Sequence, residues 1–315
     1  MVDRNFTKEE FPAGLKLHDL VRTDLPEAVL GEVEAIFRLI SPSFDTNPVA
    51  SAFHMVTEVF RGNHPEYRAC NTYYHDLRHT TDAFLAMGRL IHGAVLNAQG
   101  FDEHKTITSL IASLFHDTGY IQERHDTEGT GAKYSREHVA RSMAFMKRHG
   151  SEFGLTELER EEGSEIIAYT DMSRDLPATR SSQAPIELLG RLLNAADLMG
   201  QMADRAYLEK LRFLYQEYKE GNVGDYLNEM DLLRKTVGFY RYVENRLKPV
   251  SENANRFMAS HFASRWGIHK NLYSYAIEEQ REYLLRILAT PGADPRDYLH
   301  RRGINESVRS VYGPE

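Results

Sequence analysis

A single cysteine, Cys70, in 315 residues leaves no partner for an intramolecular disulfide and suits a reducing compartment. Positive charge is also scarce. Against 46 Asp and Glu stand 38 Lys and Arg, a formal net charge of -8, so no basic stripe is available to neutralise a nucleic-acid backbone. No apolar run approaches the length of a membrane span, and Met1 to Phe11 is charged and polar, without the apolar stretch of a signal peptide. A cytoplasmic location without nucleic-acid or membrane partners is the expectation. Internal repeats, low-complexity tracts and runs of alternating β-branched residues are missing as well, which leaves β-strands without a basis in the sequence.

What is present is helical periodicity. Apolar residues recur at three- and four-residue intervals over Leu25 to Ile40, Val49 to Phe60, His79 to Val95, Thr106 to Phe115, His138 to Lys147, Glu157 to Tyr169, Pro185 to Leu198 and Ala206 to Tyr218. Ser41-Pro42-Ser43, His149-Gly150 and Gly221-Asn222 supply breaks between them. With 42% hydrophobic and 27% charged residues the chain can bury a sizeable core. The reading is one compact all-α bundle over residues 1–290, followed by a Pro-, Gly- and charge-rich C-terminal tail over 291–315 that packs or frays. Two irregular polar stretches, Gln122 to Ser135 and Arg174 to Gln183, follow chemically interesting segments and suit selectivity loops or plain connections. Trp266 and Tyr273 read as core.

The chemistry concentrates in a few positions. His75 and His79 are four residues apart, which on a helix stacks them one turn from each other on one face. His116-Asp117 supplies a nitrogen and a carboxylate at adjacent positions, and Asp197 adds another oxygen from far along the chain. Such a mixed N/O set suits Zn, Fe or Mn, and its carboxylates also suit a harder ion such as Mg. Ile107, Leu110, Ile111, Leu114 and Phe115 lead directly into His116. Imidazoles and carboxylates beside such an apolar face are costly to bury without a metal or other partners. His149, outside these motifs, reads as an ordinary histidine at a helix end.

Taken in order, His79, His116-Asp117 and Asp197 resemble the HD superfamily of metal-dependent phosphohydrolases, and the detail is similar to its class I cyclic-nucleotide phosphodiesterases. Four segments carry the likeness: Tyr74-His75 to Asp82; His116-Asp117; Ala168-Tyr169-Thr170-Asp171-Met172-Ser173 together with Asn194-Ala195-Ala196-Asp197-Leu198; and Thr236-Val237-Gly238-Phe239. They span roughly residues 70 to 250. The chain departs from that pattern at Thr118-Gly119-Tyr120, where a His-Pro-Gly turn would stand, at Met199-Gly200-Gln201, and around His138, where Ser135 replaces an acid and Glu137 is offset by two positions.

The resemblance implies an all-α phosphodiesterase-like fold and a metal set of His79, His116, Asp117 and Asp197, with Zn or Fe in a first position and Mg or Mn in a second bridged by Asp117. It implies His75 as the general acid that protonates the departing sugar oxygen. A second-shell or metal-ligand role for His75 is the alternative. Tyr74, Met172, Thr236 and Phe239 fall at substrate-side positions. Thr236 replaces a glutamine that would read a purine, and Phe239 matches an aromatic that stacks on the base. The expected activity is hydrolysis of a 3′,5′-cyclic nucleotide or similar small phosphodiester. The alternatives are an HD-type nucleotide phosphohydrolase, or a metal-stabilised sensor without turnover.

Overall fold

Short apolar stripes and polar caps define the helices. In a computed structural model the chain is described over residues 14–173, 184–291 and 294–312, apart from the side chains of 246–252 and 305. Helix α1 (Leu17–Leu20) is a single turn, and α2 (Pro26–Ile40) and α3 (Asn47–Arg61) each begin with a proline in the first turn, where its missing N–H costs nothing. Their buried faces are Val29, Val33, Ile36 and Phe37 on α2, and Val49, Phe53, Val56 and Phe60 on α3. Helix α4 (Leu77–Leu96) is the central element. Residues 79–94 are buried almost without interruption, because α2, α5, α8 and α10 pack around it.

Helix α5 (Glu103–Phe115) is capped by Asp102, whose carboxylate accepts the Lys105 amide at 2.7 Å, and runs inward until its last turn is wholly buried. A 3-10 turn, Thr118–Tyr120, leads through an irregular stretch to α6 (His138–His149). Helix α7 (Glu157–Ala168) carries a reciprocal Thr156/Glu159 capping box. Helices α8 (Ala184–Met202) and α9 (Tyr207–Glu220) follow, then the 38-residue α10 (Glu229–Trp266), α11 (Leu272–Ala289) and α12 (Ile304–Tyr312). No strand occurs among the described residues; Tyr67 and Glu123 form an isolated bridge.

The all-α expectation is met, and all eight expected helical stretches correspond to α2 through α9 with ends shifted by three residues or fewer, apart from the C-terminal end of α8. Helix α10 was not among them. It runs through Gly238 and Pro249, which local rules treat as breaks, while Leu232, Leu233, Tyr240, Ala254, Phe257 and Phe262 are buried along it. Packing against α4 overrides the local signals, and it is close: a Cβ at Gly93 would lie 1.9 Å from the Phe257 carbonyl oxygen.

The C-terminal stretch is packed where it is described. Leu299, Ile304 and Val308 join the core, and Arg302 pairs with buried Asp204 at 2.9 Å. Trp266 is half-buried and Tyr273 buried. No helix among the described residues is long and apolar enough to cross a membrane.

Candidate metal centre and its cavity

Four segments meet where α4, α5 and α8 converge. His79 sits in the first turn of α4, held there by Asp76, whose side chain caps the helix by accepting the His79 amide at 2.8 Å. His116 ends α5, and Asp117 turns the chain into the 3-10 helix. Asp197 comes from the buried face of α8. His79 Nε2 lies 3.0 Å from Asp117 Oδ2 and 3.1 Å from Asp197 Oδ1, and His116 Nε2 lies 3.4 and 3.7 Å from the same two oxygens. The four residues expected as a metal set are therefore brought together.

Their environment is unusual for protein groups left to themselves. The His116 Nδ1–H donates to the Ser113 carbonyl at 2.8 Å, which fixes the tautomer and turns a lone pair on Nε2 toward the carboxylates. Yet His116 Nε2 and Asp117 Oδ2 are buried and make no hydrogen bond. Leaving buried polar atoms unsatisfied costs about 1–3 kcal/mol each, and more when they are charged. His79, His116 and Asp117 can each offer a ligand atom within 4.8 Å of the others. A divalent cation among these atoms would satisfy them, so the donor set fits a metal. Asp117 also faces a third imidazole: its Oδ1 lies 4.0 Å from His138 Nε2, and the His138 Nδ1–H donates to the Ser135 carbonyl at 2.8 Å. The close approach of this segment depends on Gly119, where a Cβ would lie 1.9 Å from the His138 carbonyl oxygen.

The electrostatics are those of a tight ionic cluster. Burial alone would lower the His79 imidazole, but the Asp117 and Asp197 carboxylates outweigh it and hold it up at about 10. Burial would raise Asp117, and His116 and His79 instead hold it well below the usual carboxylate range; Asp197 is held down in the same way. The raised His79 contributes stability in full below its ordinary value of 6.5 and loses it as pH rises through about 10. The depressed carboxylates contribute above their ordinary 3.8, and that contribution is lost as pH falls through their folded values. Chelator-treated protein is therefore expected to melt at progressively lower temperature from pH 7 to 10. Thermal melts should show this decline in the wild type and a flatter profile in His79→Gln.

His75 is placed differently from the helical expectation. It precedes the Asp76 cap and lies outside α4, so the one-turn stacking with His79 does not occur; the two rings meet edge to face at 5.6 Å. The Asp76 side chain makes the better helix start, and this moves His75 into the preceding turn. There its Nδ1–H donates to Glu217 Oε2 at 2.7 Å, and its ring stacks on Tyr120 at 4.3 Å. Glu217, buried on α9, also accepts the Tyr73 and Tyr74 amides at 2.7 and 2.6 Å. Sequence reasoning missed Glu217, since its partner lies 142 residues away.

A cavity of about 740 Å³ opens from the centre. His75, His79, Asp117, Asp197, Tyr120 and His138 line its inner end, and Tyr218, Met143, Met172 and Phe239 line its walls. Tyr74 also lines it, its hydroxyl donating to Gln201 Oε1 at 2.6 Å; the Gln201 amide in turn donates to Asp197 Oδ1 at 3.2 Å. Thr236 is not on this cavity. Its hydroxyl is buried and donates to the Leu232 carbonyl at 2.9 Å, within its own helix.

Of the two irregular stretches, 122–135 is pinned. Gln122 donates to the Glu128 carbonyl at 2.9 Å, Lys133 pairs with Asp126 at 2.6 Å, and the Gly131 amide donates to Asn71 at 2.8 Å. Arg174 to Gln183 lies outside the described residues. His149 ends α6, as expected, and is buried there between Tyr67 and Glu152, at 2.7 and 2.6 Å.

Residues 63–280 match the Npun_R2479-like family, a stretch covering more than half of the chain. The chain belongs to the Npun_R2479-like family. Every residue of the centre and its cavity, from Tyr74 to Phe239, falls inside the part matched to that family. No curated protein matches the chain.

Proposed function

We propose that this protein is a metal-dependent phosphodiesterase acting in the cytoplasm on a 3′,5′-cyclic nucleotide or a similar small phosphodiester. The observation that carries the reading is the convergence, beside one cavity, of a buried His79, His116, Asp117 and Asp197 set, in which His116 Nε2 and Asp117 Oδ2 lack hydrogen bonds, with a separate His75–Glu217 pair. The first group would hold a divalent metal, Zn or Fe by its nitrogen content, and Asp117, whose Oδ1 lies 4.0 Å from His138 Nε2, would also help to hold a Mg or Mn ion. When bound, such metals acidify water into a nucleophile at neutral pH and neutralise phosphoryl oxygens.

The remaining work belongs to the chain's own groups. A carboxylate only accepts hydrogen bonds, so Glu217 keeps the His75 proton on Nδ1 when the ring is neutral and stabilises the ring when both nitrogens are protonated. That leaves Nε2 as the atom that delivers a proton to the leaving oxygen. Tyr120 packs against the rings of both His75 and His138, restricting their motion. The apolar walls, with Met172 and Phe239, accept the rest of the substrate and exclude water from the reacting bond.

The decisive test is product identity. Protein loaded in turn with Zn, Fe, Mn or Mg should convert cyclic nucleotides or bis-p-nitrophenyl phosphate to monoesters. Release of inorganic phosphate from monophosphates or triphosphates, with diesters left intact, would place the chain among nucleotide phosphohydrolases instead. Metal and ligand binding without any product would favour a sensor. Base recognition should rest on Phe239 rather than on Thr236, whose hydroxyl is engaged within its helix. Phe239→Ala is expected to raise the Michaelis constant about tenfold, in line with roughly 1–3 kcal/mol for stacking on a base. Thr236→Val should change it less than about twofold, because no substrate contact is removed. A larger effect at Thr236, seen in steady-state kinetics, would overturn that assignment.

A further inference from the structure

Among the described residues the cavity has one Lys or Arg in its lining, Arg136, and its position is built rather than incidental. Arg136 lies two residues before His138, at the end of the pinned 122–135 stretch. Its Nε donates to the Asn222 carbonyl at 3.0 Å and its Nη2 donates to the same oxygen. That carbonyl belongs to the connection between α9 and α10, where Asn222 takes a left-handed φ of 52°. Two hydrogen bonds from one side chain to one fixed acceptor orient the guanidinium plane. A guanidinium carries five N–H groups, so three remain after these two bonds.

No carboxylate among the described residues pairs with Arg136 within ion-pair distance, whereas on another cavity Arg286 pairs with Glu282 and Arg301 donates to the Arg205 carbonyl and lies over the Tyr283 ring. The opposite sign is carried by three carboxylates lining the same cavity, Asp117 and Asp197 of the centre and Asp171. An exposed, oriented cation without a carboxylate partner, lining the same cavity as the centre, matches a second anionic group on a ligand held there. The cavity's volume of about 740 Å³ leaves room for one beyond a single phosphodiester and its sugar.

We infer that Arg136 selects ligands carrying a second phosphate or carboxylate, separate from the phosphoryl group held at the His79–His116–Asp117–Asp197 centre. This rests on the proposed reading of that centre as a phosphoryl site. The preferred substrate class is then a phosphodiester with an additional terminal phosphate, such as a 5′-phosphorylated linear dinucleotide, rather than a simple cyclic mononucleotide.

The test compares equilibrium binding of adenosine 3′,5′-bisphosphate with that of adenosine 5′-monophosphate to metal-loaded protein by titration calorimetry. Wild type should favour the bisphosphate by about tenfold or more, and Arg136→Gln should collapse the ratio toward one. Arg136→Lys should restore part of it, since charge returns without the two-pronged geometry. A ratio near one in the wild type, no measurable binding of either ligand, or a ratio that Arg136→Gln leaves intact would each overturn the inference. Hydrolysis of bis-p-nitrophenyl phosphate, which has no second anionic group, is measured alongside: its presence with a failed binding ratio rejects Arg136 alone, and its absence rejects the phosphodiesterase reading itself.

Discussion

Replacing His79 by alanine is expected to strip divalent metal from the purified protein to less than about a tenth of the wild-type content, because outer-shell partners alone are worth about 10- to 100-fold in metal affinity and a ligand is worth more. Asp197→Ala should act in the same direction, since its Oδ1 lies 3.1 Å from His79 Nε2 and 3.7 Å from His116 Nε2. Elemental analysis measures the outcome, with exposed His269 as the substitution that should leave metal unchanged. A second consequence is independent of turnover. With His79 gone, Asp117 and Asp197 face each other's charge in a buried site where His116 remains near both, and removing one partner of a buried ionic set typically costs about 3–5 kcal/mol. Metal-free His79→Ala should therefore unfold at markedly lower denaturant than metal-free wild type. Metal must also displace the proton that the two carboxylates hold on His79, so apparent affinity should climb with pH by up to about tenfold per unit between 7 and 10. Full metal content in His79→Ala would show that the ligands lie elsewhere.

Loss of the His75 imidazole should leave the metal in place and cost about two to four orders of magnitude in turnover, the usual contribution of general acid catalysis. The loss should shrink on a p-nitrophenyl diester, whose leaving group departs without a proton. Glu217→Gln provides the finer test. The amide oxygen can still accept the Tyr73 and Tyr74 amides, which preserves the turn, but the charge that stabilises a protonated His75 is removed. Turnover on a poor leaving group should fall by roughly one to two orders of magnitude, with little change on the activated diester. Equal losses on both substrates would assign His75 and Glu217 to holding the turn before α4 rather than to moving a proton.

Much of the architecture was legible in local patterns. The stripes at Val29, Val33, Ile36 and Phe37, or along Leu110, Ile111, Leu114 and Phe115, report directly which helix face will be buried, because burial of apolar area dominates where a helix can pack. His79, His116-Asp117 and Asp197 stood out for the complementary reason: polar, ligand-forming side chains on otherwise apolar faces need a partner. The C-terminal stretch was harder. Its prolines, glycines and charges leave open whether it packs or frays, and only the ion pair from Arg302 to buried Asp204 and the burial of Leu299, Ile304 and Val308 give it a place in the core. Helix α10 was hidden by Pro249 and Gly238, whose local preferences were outweighed by contacts with α4.

The roles of individual groups divide along the same line. By itself the sequence determined that the chain is all-α, with a mixed imidazole and carboxylate set on buried faces, because helical period and the cost of burying polar groups are properties of neighbouring residues. Tertiary structure decided that His75 lies outside α4 and leans on Glu217, that Asp117 faces His138 as well as His79, that Thr236 turns its hydroxyl into its own helix, and that Arg136 is aimed by Asn222. All but the Thr236 bond join groups through an approach of helices or loops, and for His75 and Glu217 the separation is 142 residues. Hydrogen bonds and charges act over a few ångströms of space, whatever the distance along the chain, so only the packed arrangement could pair them.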